Sequence, residues 1–292
     1  MRFADADADF KTAKFGILGV PFDATVSYRS GSKFAPNAIR VASWSLESYV
    51  LQYDVELTNL PICDLGDLEE YGNVNLIIDA VEREVRKLIK KQIFPLLLGG
   101  EHSLTIGSVR ALKVKGDVSV VILDAHLDFR DQYLELRNSH ACVTKRVSEL
   151  LTVKNIVVLG VRSMSKEERC CAEKEGLKYY TVDYLQEHGI ARTLKNSRLK
   201  QNVYLSVDFD VFDPAVAPGV SNPEHGGLGV KEVKEVIDVL APKLVGADIV
   251  EVCPPYDNGN TSVLAAKIVR DIIAAVWKCG HMHAEAKAKS MH

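Results

Sequence analysis

Short apolar runs alternate with longer amphipathic stretches along this 292-residue sequence, and this alternation constrains the fold more than any other feature. It is typical of βα units, in which buried strands form a parallel sheet and helices cover its faces. Several runs are rich in Val and Ile and most end in Gly or Asp, which suits strands that are buried on both faces. The pattern predicts strands at 15–20, 94–98, 118–123, 155–160, 203–209 and 244–252.

Amphipathic helices are predicted between these strands. Apolar residues recur at three- and four-residue steps over 74–92 and 230–240, which places them on one helix face. A third helix is predicted over about 261–277. No repeat, low-complexity tract or linker marks a boundary, so we expect a single domain over residues 1–280. Residues 281–292 carry few large apolar groups, and we expect them to form a flexible tail.

Composition and charge exclude several classes of function. Hydrophobic residues make up 47% of the chain and charged residues 26%, as in globular proteins. With 36 basic and 39 acidic residues the net charge is -3, so nucleic acid is not an expected partner. The acidic N-terminus does not resemble a secretory signal and no apolar stretch approaches about 18 residues, so we expect neither export nor membrane anchoring. The six cysteines show no C-x-x-C spacing, and we expect reduced thiols in the cytoplasm.

Three predicted strands end in side chains that can bind metals, and ligands of open α/β sheets bind outside the carboxyl ends of the strands. The first of these ends reads GGEHS, where two glycines permit a sharp turn and His102 comes at the start of the next helix. A histidine in such a place is by itself more often a cap or a core hydrogen-bonding group than a metal ligand.

The second strand end reads DAHLD and places Asp124, His126 and Asp128 at alternate positions. If the segment is extended, all three side chains share one face. They would suffer repulsion and desolvation at the end of a buried run unless a cation lies among them. The alternative, a polar turn in which an aspartate caps a helix, accounts for only one of the two carboxylates.

The third strand end reads SVDFDVFDP, in which Asp208 and Asp210 are expected to point to the same face of a strand. Asp213 precedes a proline and is expected to start a turn instead. The three strand ends together offer four carboxylates and two imidazoles, which would neutralise two divalent cations. This donor set favours Mn²⁺, with Zn²⁺, Co²⁺ and Fe²⁺ as alternatives. Such a pair can activate a bridging water for attack on carbon or phosphorus, and these residues leave both electrophiles open.

The motifs GGEHS, DAHLD and SVDFDVFDP, in this order and spacing, resemble the metal-binding signatures of the ureohydrolases, which include arginase and agmatinase. The likeness extends to GVPFD at 19–23, RSG at 29–31, APNAIR at 35–40 and DLGD at 64–67. It implies a three-layer α/β/α fold around a central, mostly parallel sheet of about eight strands, with two Mn²⁺ ions per subunit. It also implies that one ion binds His102 and Asp128, that the other binds His126 and Asp210, and that Asp124 and Asp208 are shared.

The resemblance implies roles for two further residues. Glu251 matches the carboxylate that binds the guanidinium group, which stays protonated near pH 7 and pairs bidentately with a carboxylate. The alternative for Glu251 is a surface glutamate. His140 matches the family histidine that moves protons between solvent and the site, a task that suits a side chain titrating near neutrality. The residue after it is Ala141, where the family more commonly has glycine.

Within the ureohydrolases, the sequence favours agmatine as substrate. Arg130 occupies the place of the asparagine that helps arginases to hold an α-amino acid, whereas the segments 160–163 and 250–257 resemble those of agmatinases. The expected reaction is attack of a metal-bridging hydroxide on the guanidinium carbon, after which Asp128 passes the proton to the departing amine, giving urea and putrescine. Arginine, guanidinobutyrate and a longer guanidino-amine are alternative substrates.

The second cation of agmatine needs an acidic partner, and the candidates are Asp131, Glu135 and Glu224. Two other classes of protein also remain open, a deacetylase-like metal hydrolase or phosphohydrolase and a non-catalytic regulator. The resemblance further suggests a homo-oligomer, either a trimer or a hexamer.

Overall fold

A single large parallel sheet forms the centre of the fold. The computed structural model describes the backbone of residues 1–290 and the side chains of residues 1–280. The strands are β1 (Phe15–Val20), β2 (Tyr49–Val50), β3 (Val55–Glu56), β4 (Ile62–Asp67), β5 (Phe94–Gly99), β6 (Val118–Leu123), β7 (Ile156–Val161), β8 (Lys178–Thr181), β9 (Asn202–Asp208) and β10 (Leu244–Val250). Eight of them pair in parallel in the order β4-β1-β5-β10-β9-β6-β7-β8, while β2 and β3 form a small antiparallel pair.

Helices cover both faces of this sheet. They are α1 (Ala35–Ser43), α2 (Val74–Lys90), α3 (Leu104–Leu112), α4 (Val143–Leu150), α5 (Lys166–Glu175), α6 (Val182–His188), α7 (Ile190–Asn196), α8 (Val230–Leu240) and α9 (Asn260–Ser290). One apolar cluster contains buried residues of α1 and α6 to α9, and a second contains those of α2 to α5. The predicted three-layer α/β/α fold is therefore confirmed. Within residues 1–290, none of the helices is both long and apolar enough to cross a bilayer.

All six predicted strands are present, with ends that differ from the prediction by no more than two residues. Two strands of the sheet were not predicted, β4 and β8, and these are its two edges. An edge strand is partly exposed, so its sequence lacks the continuous apolar run of a strand buried on both faces. In β8, for example, all four residues are at least partly exposed.

The C-terminal helix is longer than the predicted 261–277, because α9 continues to Ser290. Its apolar pattern ends near Trp277, but the sequence over 278–290 contains three alanines and three lysines, which have high helix propensity. The single domain over 1–280 and the flexible tail over 281–292 both stay predictions. Residues 291–292, and the side chains from 281 onward, lie outside the part of the chain that the structure describes.

Four neighbouring strands in the middle of the sheet, β5, β10, β9 and β6, bring the predicted site together. Because these strands are parallel, their carboxyl ends all lie at the same end of the sheet. The segments that leave these ends contain the three motifs and Glu251, although they are far apart in the sequence.

Candidate metal centre

The six predicted metal ligands lie together at the carboxyl ends of β5, β6 and β9 or directly after them. Five of them are buried, and the imidazole of His126 is about one quarter exposed. Nδ1 of His102 lies 3.2 Å from Oδ2 of Asp128, 3.2 Å from Oδ2 of Asp208 and 3.3 Å from Oδ2 of Asp124. This imidazole therefore faces three carboxylates.

The second imidazole lies on the other side of Asp124. Nδ1 of His126 is 2.9 Å from Oδ2 of Asp210 and 3.5 Å from Oδ1 of Asp124. Two sets of donor atoms, each within 4.8 Å of one another, are thereby formed, and Asp124 belongs to both. The sets are His102, Asp124 and Asp128, and Asp124, His126 and Asp210.

The donor atoms fit a pair of divalent cations. Oδ2 of Asp124 is buried and, although Nδ1 of His102 lies 3.3 Å away, no group among the described side chains meets it with hydrogen-bond geometry. A buried carboxylate oxygen without a hydrogen bond is costly unless a cation compensates its charge. The set is composed of carboxylate oxygens and imidazole nitrogens with no thiolate, which suits Mn²⁺ and similar ions.

Two local conformations differ from the sequence-based expectation. DAHLD is not extended throughout, because Asp128 has a left-handed backbone with a φ of 49°. Asp210 does not lie on the strand with Asp208; it lies in a 3-10 turn over Phe209–Val211, where its N–H donates to Oδ1 of Asp208 at 3.0 Å. The turn still directs both carboxylates into the site. Asp213 starts a turn as predicted, accepting the N–H of Ala215 at 2.9 Å.

The double glycine before His102 is required by a close approach of two chain segments. A Cβ on Gly100 would overlap the backbone carbonyl of Phe22, which follows β1. The N–H of Glu101 donates to that same carbonyl at 2.8 Å. This contact directs the chain so that His102 enters the site, as the GGEHS motif predicts.

Crowding of charges shifts the titration of these groups. Burial, with the nearby charge of Asp124, raises the pKa of Asp128 to about 7. Burial alone would lower the pKa of His102 and of His126, but the surrounding carboxylates raise both. These shifts favour proton binding by the imidazoles as long as no cation balances the carboxylates, and metal binding would displace such protons.

Glu251 lies on the same side as the metal donors. It follows β10, is 4% exposed, and accepts the backbone N–H of His102 at 2.7 Å through Oε1. Burial and the neighbouring charge of Glu101 raise the pKa of Glu251 to about 8. The alternative of a surface glutamate is therefore wrong.

His140 lies in a 3-10 turn before α4 and faces the same cavity as Glu251. Burial, followed by the charges of His102 and His126, lowers the pKa of His140 to about 4. A neutral ring can accept a proton, and the role of His140 in proton transfer stays a prediction.

The cavity over these groups has a volume of about 280 Å³ and extends from the metal donors to a polar rim. Its other lining side chains include Ser27, Arg130, Tyr133, Ser163, Met164, Glu168 and Asn222.

The three acidic candidates for a second substrate cation do not line this cavity. Asp131 is exposed and pairs with Arg146 at 2.8 Å, and Glu135 is exposed on a surface turn. Glu224 approaches Nε2 of His126 only to 3.9 Å.

Besides the predicted metal ligands and Glu251, one further carboxylate among the described residues lines the cavity, that of Glu168, which was not predicted from the sequence. It is 5% exposed, pairs with Arg130 at 3.1 Å and accepts the N–H of Phe129 at 3.1 Å. It also closes a capping box with Ser165 at the start of α5. That S-x-x-E spacing just after a predicted strand could have located it.

Comparisons with known proteins agree with this geometry. Residues 13–275 match the Arginase family. The chain is 41% identical over 274 residues to N(1)-aminopropylagmatine ureohydrolase of Thermococcus kodakarensis, covering 92% of each chain. It is 41% identical over 271 residues to an agmatinase of Pyrococcus horikoshii, covering 91% of this chain and 93% of that one. The crystal structure of agmatine ureohydrolase of Thermoplasma volcanium superposes with a TM-score of 0.93 at 43% identity, over 97% of this chain and 96% of that one. The fold, the three motifs at its carboxyl edge and these matches together show that the chain belongs to the arginase family.

Proposed function

We propose that this enzyme hydrolyses agmatine to urea and putrescine. One observation carries the proposal: the buried carboxylate of Glu251 borders the same cavity as five of the six metal donors, and the sixth, Asp124, belongs to both donor sets beneath it. A guanidinium paired with Glu251 would therefore be held beside the metal centre. The names of the archaeal relatives support the choice of a guanidino-amine.

Two Mn²⁺ ions are the cofactor that we propose. His102 and Asp128 would hold one ion and His126 and Asp210 the other, and Asp124 and Asp208 would be available to both. When bound, such a pair supplies an acidified water as nucleophile and stabilises negative charge that develops on the substrate. The shared position of Asp124 in both donor sets supports this division of ligands.

The side chains of the protein orient the substrate and move its protons. Glu251 fixes the plane of the guanidinium so that its carbon faces the metal donors. Asp128 takes a proton from the nucleophilic water and passes it to the departing amine. His140, which lines the cavity, exchanges protons between the site and solvent.

For the distal amine of the substrate we propose Glu168 in place of the three candidates from sequence. It is the carboxylate of the cavity rim, and Arg130, whose guanidinium lies 5.3 Å from the ring centroid of Tyr133, balances its charge. A longer guanidino-amine, such as the substrate in the name of the Thermococcus relative, is the second candidate, because Arg130 and Tyr133, which line the cavity near Glu168, are partly exposed to solvent.

We further propose that the enzyme works in the cytoplasm as a trimer or hexamer. The absence of any C-x-x-C spacing among the six cysteines supports a reducing compartment. Light scattering on the purified protein tests the assembly, and a monomer would contradict it.

Urea release from defined substrates tests the proposed function. Mn²⁺-loaded protein is incubated separately with agmatine, arginine, guanidinobutyrate and aminopropylagmatine, with and without a chelator. We expect the highest kcat/KM with agmatine, loss of activity with the chelator, and loss of activity in Glu251→Gln. Turnover of acetyl-lysine or a phosphate ester without urea would favour the other hydrolase classes. Failure to take up metal would favour a regulator.

A further inference from the structure

Glu101 belongs to the GGEHS motif, and its carboxylate bonds to the segment after β1. It is fully buried and accepts three hydrogen bonds. Oε2 accepts the N–H of Thr25 at 2.7 Å, and Oε1 accepts the hydroxyls of Thr25 at 2.7 Å and of Ser103 at 2.6 Å. The metal chemistry gives this carboxylate no task, and its partner Thr25 is only 6% exposed.

The hydroxyl of Thr25 connects Glu101 to His140. A hydroxyl has one proton to donate, and Thr25 donates it to Glu101. Toward His140 the same oxygen can therefore only accept. It accepts the backbone N–H of His140 at 3.0 Å and lies 3.2 Å from Nδ1 of the ring. An acceptor at this distance requires the proton of a neutral imidazole to be on Nδ1.

The geometry points to Thr25 as a positioning residue that, oriented by Glu101, holds His140 in its Nδ1–H tautomer and leaves Nε2 free to accept a proton in the cavity. This inference deepens the proposed function and rests on it for its kinetic part. A proton taken up at Nε2 leaves again from Nε2, while the proton on Nδ1 stays in place. The ring then returns to its starting state after each transfer.

One neighbour would give the opposite tautomer. Oγ of Ser139 also lies 3.2 Å from Nδ1 of His140 and accepts the N–H of Ala141 at 3.4 Å. Because this hydroxyl keeps a free proton, it could donate to Nδ1 if Thr25 did not compete. Removal of the Thr25 hydroxyl should therefore move the ring proton to Nε2, whereas removal of the Ser139 hydroxyl should not.

The tautomer is measured directly by the ¹⁵N chemical shifts of labelled histidine, in full-length protein loaded with diamagnetic Zn²⁺. We expect Nδ1–H in the wild type, in Thr25→Ser and in Ser139→Ala, and a shift toward Nε2–H in Thr25→Val. Valine keeps the shape of threonine and its backbone N–H to Glu101. A wild-type ring with its proton on Nε2, or an unchanged tautomer in Thr25→Val, would overturn the inference.

Kinetics with Mn²⁺-loaded protein and agmatine provide the second measurement. We expect kcat of Thr25→Val to fall about 10- to 100-fold, part of the usual contribution of a positioned acid–base group, with KM within about twofold. Thr25→Ser should recover most of kcat, and metal content should be unchanged in both variants. A merely structural role would lower metal content or raise KM instead, and would contradict the inference. If the wild type releases no urea, the proposed function fails while the tautomer measurement still decides the role of Thr25.

Discussion

Asp128 and Glu251 both have a left-handed backbone, with φ angles of 49° and 62°. Such a conformation costs a non-glycine residue about 1–3 kcal/mol and is retained where the surrounding structure imposes it. Here the N–H of Glu251 donates to the carbonyl of Gly100 at 2.9 Å, which fastens the end of β10 to the turn of the first motif. The residue types were predictable from the motifs, but this geometry was not, because it depends on contacts between distant strands.

The proposed ligand sets predict how many ions the protein binds when one carboxylate is replaced. We expect Asp210→Asn to bind one ion per chain instead of two. It should also lower kcat/KM about 100-fold or more, because a bound ion stabilises the charge of the transition state by several kcal/mol. Metal analysis of the purified variant and urea release check this. Asp213→Asn is the neighbouring control and should retain two ions, because Asp213 accepts backbone N–H groups of its own turn and of Gly226.

The proposed contact of Glu168 with the distal amine predicts an effect on substrate affinity, separate from the effects on metal binding. Glu168→Gln keeps the acceptor of the capping box but removes the charge, so KM for agmatine should rise about tenfold, the loss of one charge-assisted hydrogen bond. Asp131→Asn should leave KM unchanged, because Asp131 lies outside the cavity. Steady-state kinetics on both variants decide between the two carboxylates, and a larger effect of Asp131→Asn would restore the sequence-based candidate.

At the scale of elements, the strands that carry the site were the easiest to predict. β5, β6, β9 and β10 are buried on both faces, so each appears in the sequence as an apolar run followed by polar residues. The edge strands and the turns could not be predicted in the same way. The 3-10 turn after Asp208 and the place of Glu168 depend on packing between elements, which one sequence does not encode locally.

In the turn after β5 there is no space for a side chain at Gly100, so we expect any substitution there to destabilise the protein. In Gly100→Ala the new Cβ would overlap the carbonyl of Phe22, so the turn that leads to His102 and the segment at Phe22 must separate. We expect a fall in stability of about 1–3 kcal/mol, as for overpacking elsewhere, together with weaker metal binding. Gly72→Ala is the matched control, because a Cβ at Gly72 meets no atom within 4 Å. Thermal unfolding with and without Mn²⁺ measures both effects, and equal behaviour of the two variants would contradict the prediction.

The buried carboxyl group of Asp271 on α9 leads us to expect that the free energy of unfolding depends on pH, through a group outside the metal centre. Its side chain is fully buried, and Oδ1 lies 3.3 Å from Nζ of Lys267. Burial raises its pKa above that of the unfolded chain, so the folded state binds the proton more tightly. This group therefore costs stability increasingly as pH rises from about 4 through its folded pKa.

Asp271→Asn removes that cost. The variant should unfold at a higher temperature than the wild type at pH 7 to 8, and the difference should shrink toward zero as the pH falls to about 4. Asp117→Asn at an exposed position is the control and should show no such trend. A difference that grows on acidification would mean that the sign is wrong.

At the scale of the whole molecule, the site depends on most of the chain. The donors span residues 102 to 210, and Glu251 follows the strand between β5 and β9. Bound ions should therefore stabilise the complete fold, because the unfolded chain cannot gather these ligands.

Removal of the ions should lower the unfolding temperature of the whole protein. Each ion contributes about 2.7 kcal/mol when its free concentration is 100 times its Kd, so a chelator should reduce Tm by several degrees and Mn²⁺ should restore it. Differential scanning calorimetry measures the shift. The shift should be smaller in Asp210→Asn, which we expect to hold one ion, and an equal shift there would contradict the two-ion assignment.

The position of β10 between β5 and β9 has a consequence during synthesis. During translation, His102 is synthesised long before β10, and β10 must be inserted between β5 and β9, which are already made. A nascent chain thus contains the separate carboxylates and imidazoles but not the two assembled sets of metal donors. Metal loading, and with it any hydrolysis, must wait until translation of the last βα unit is complete.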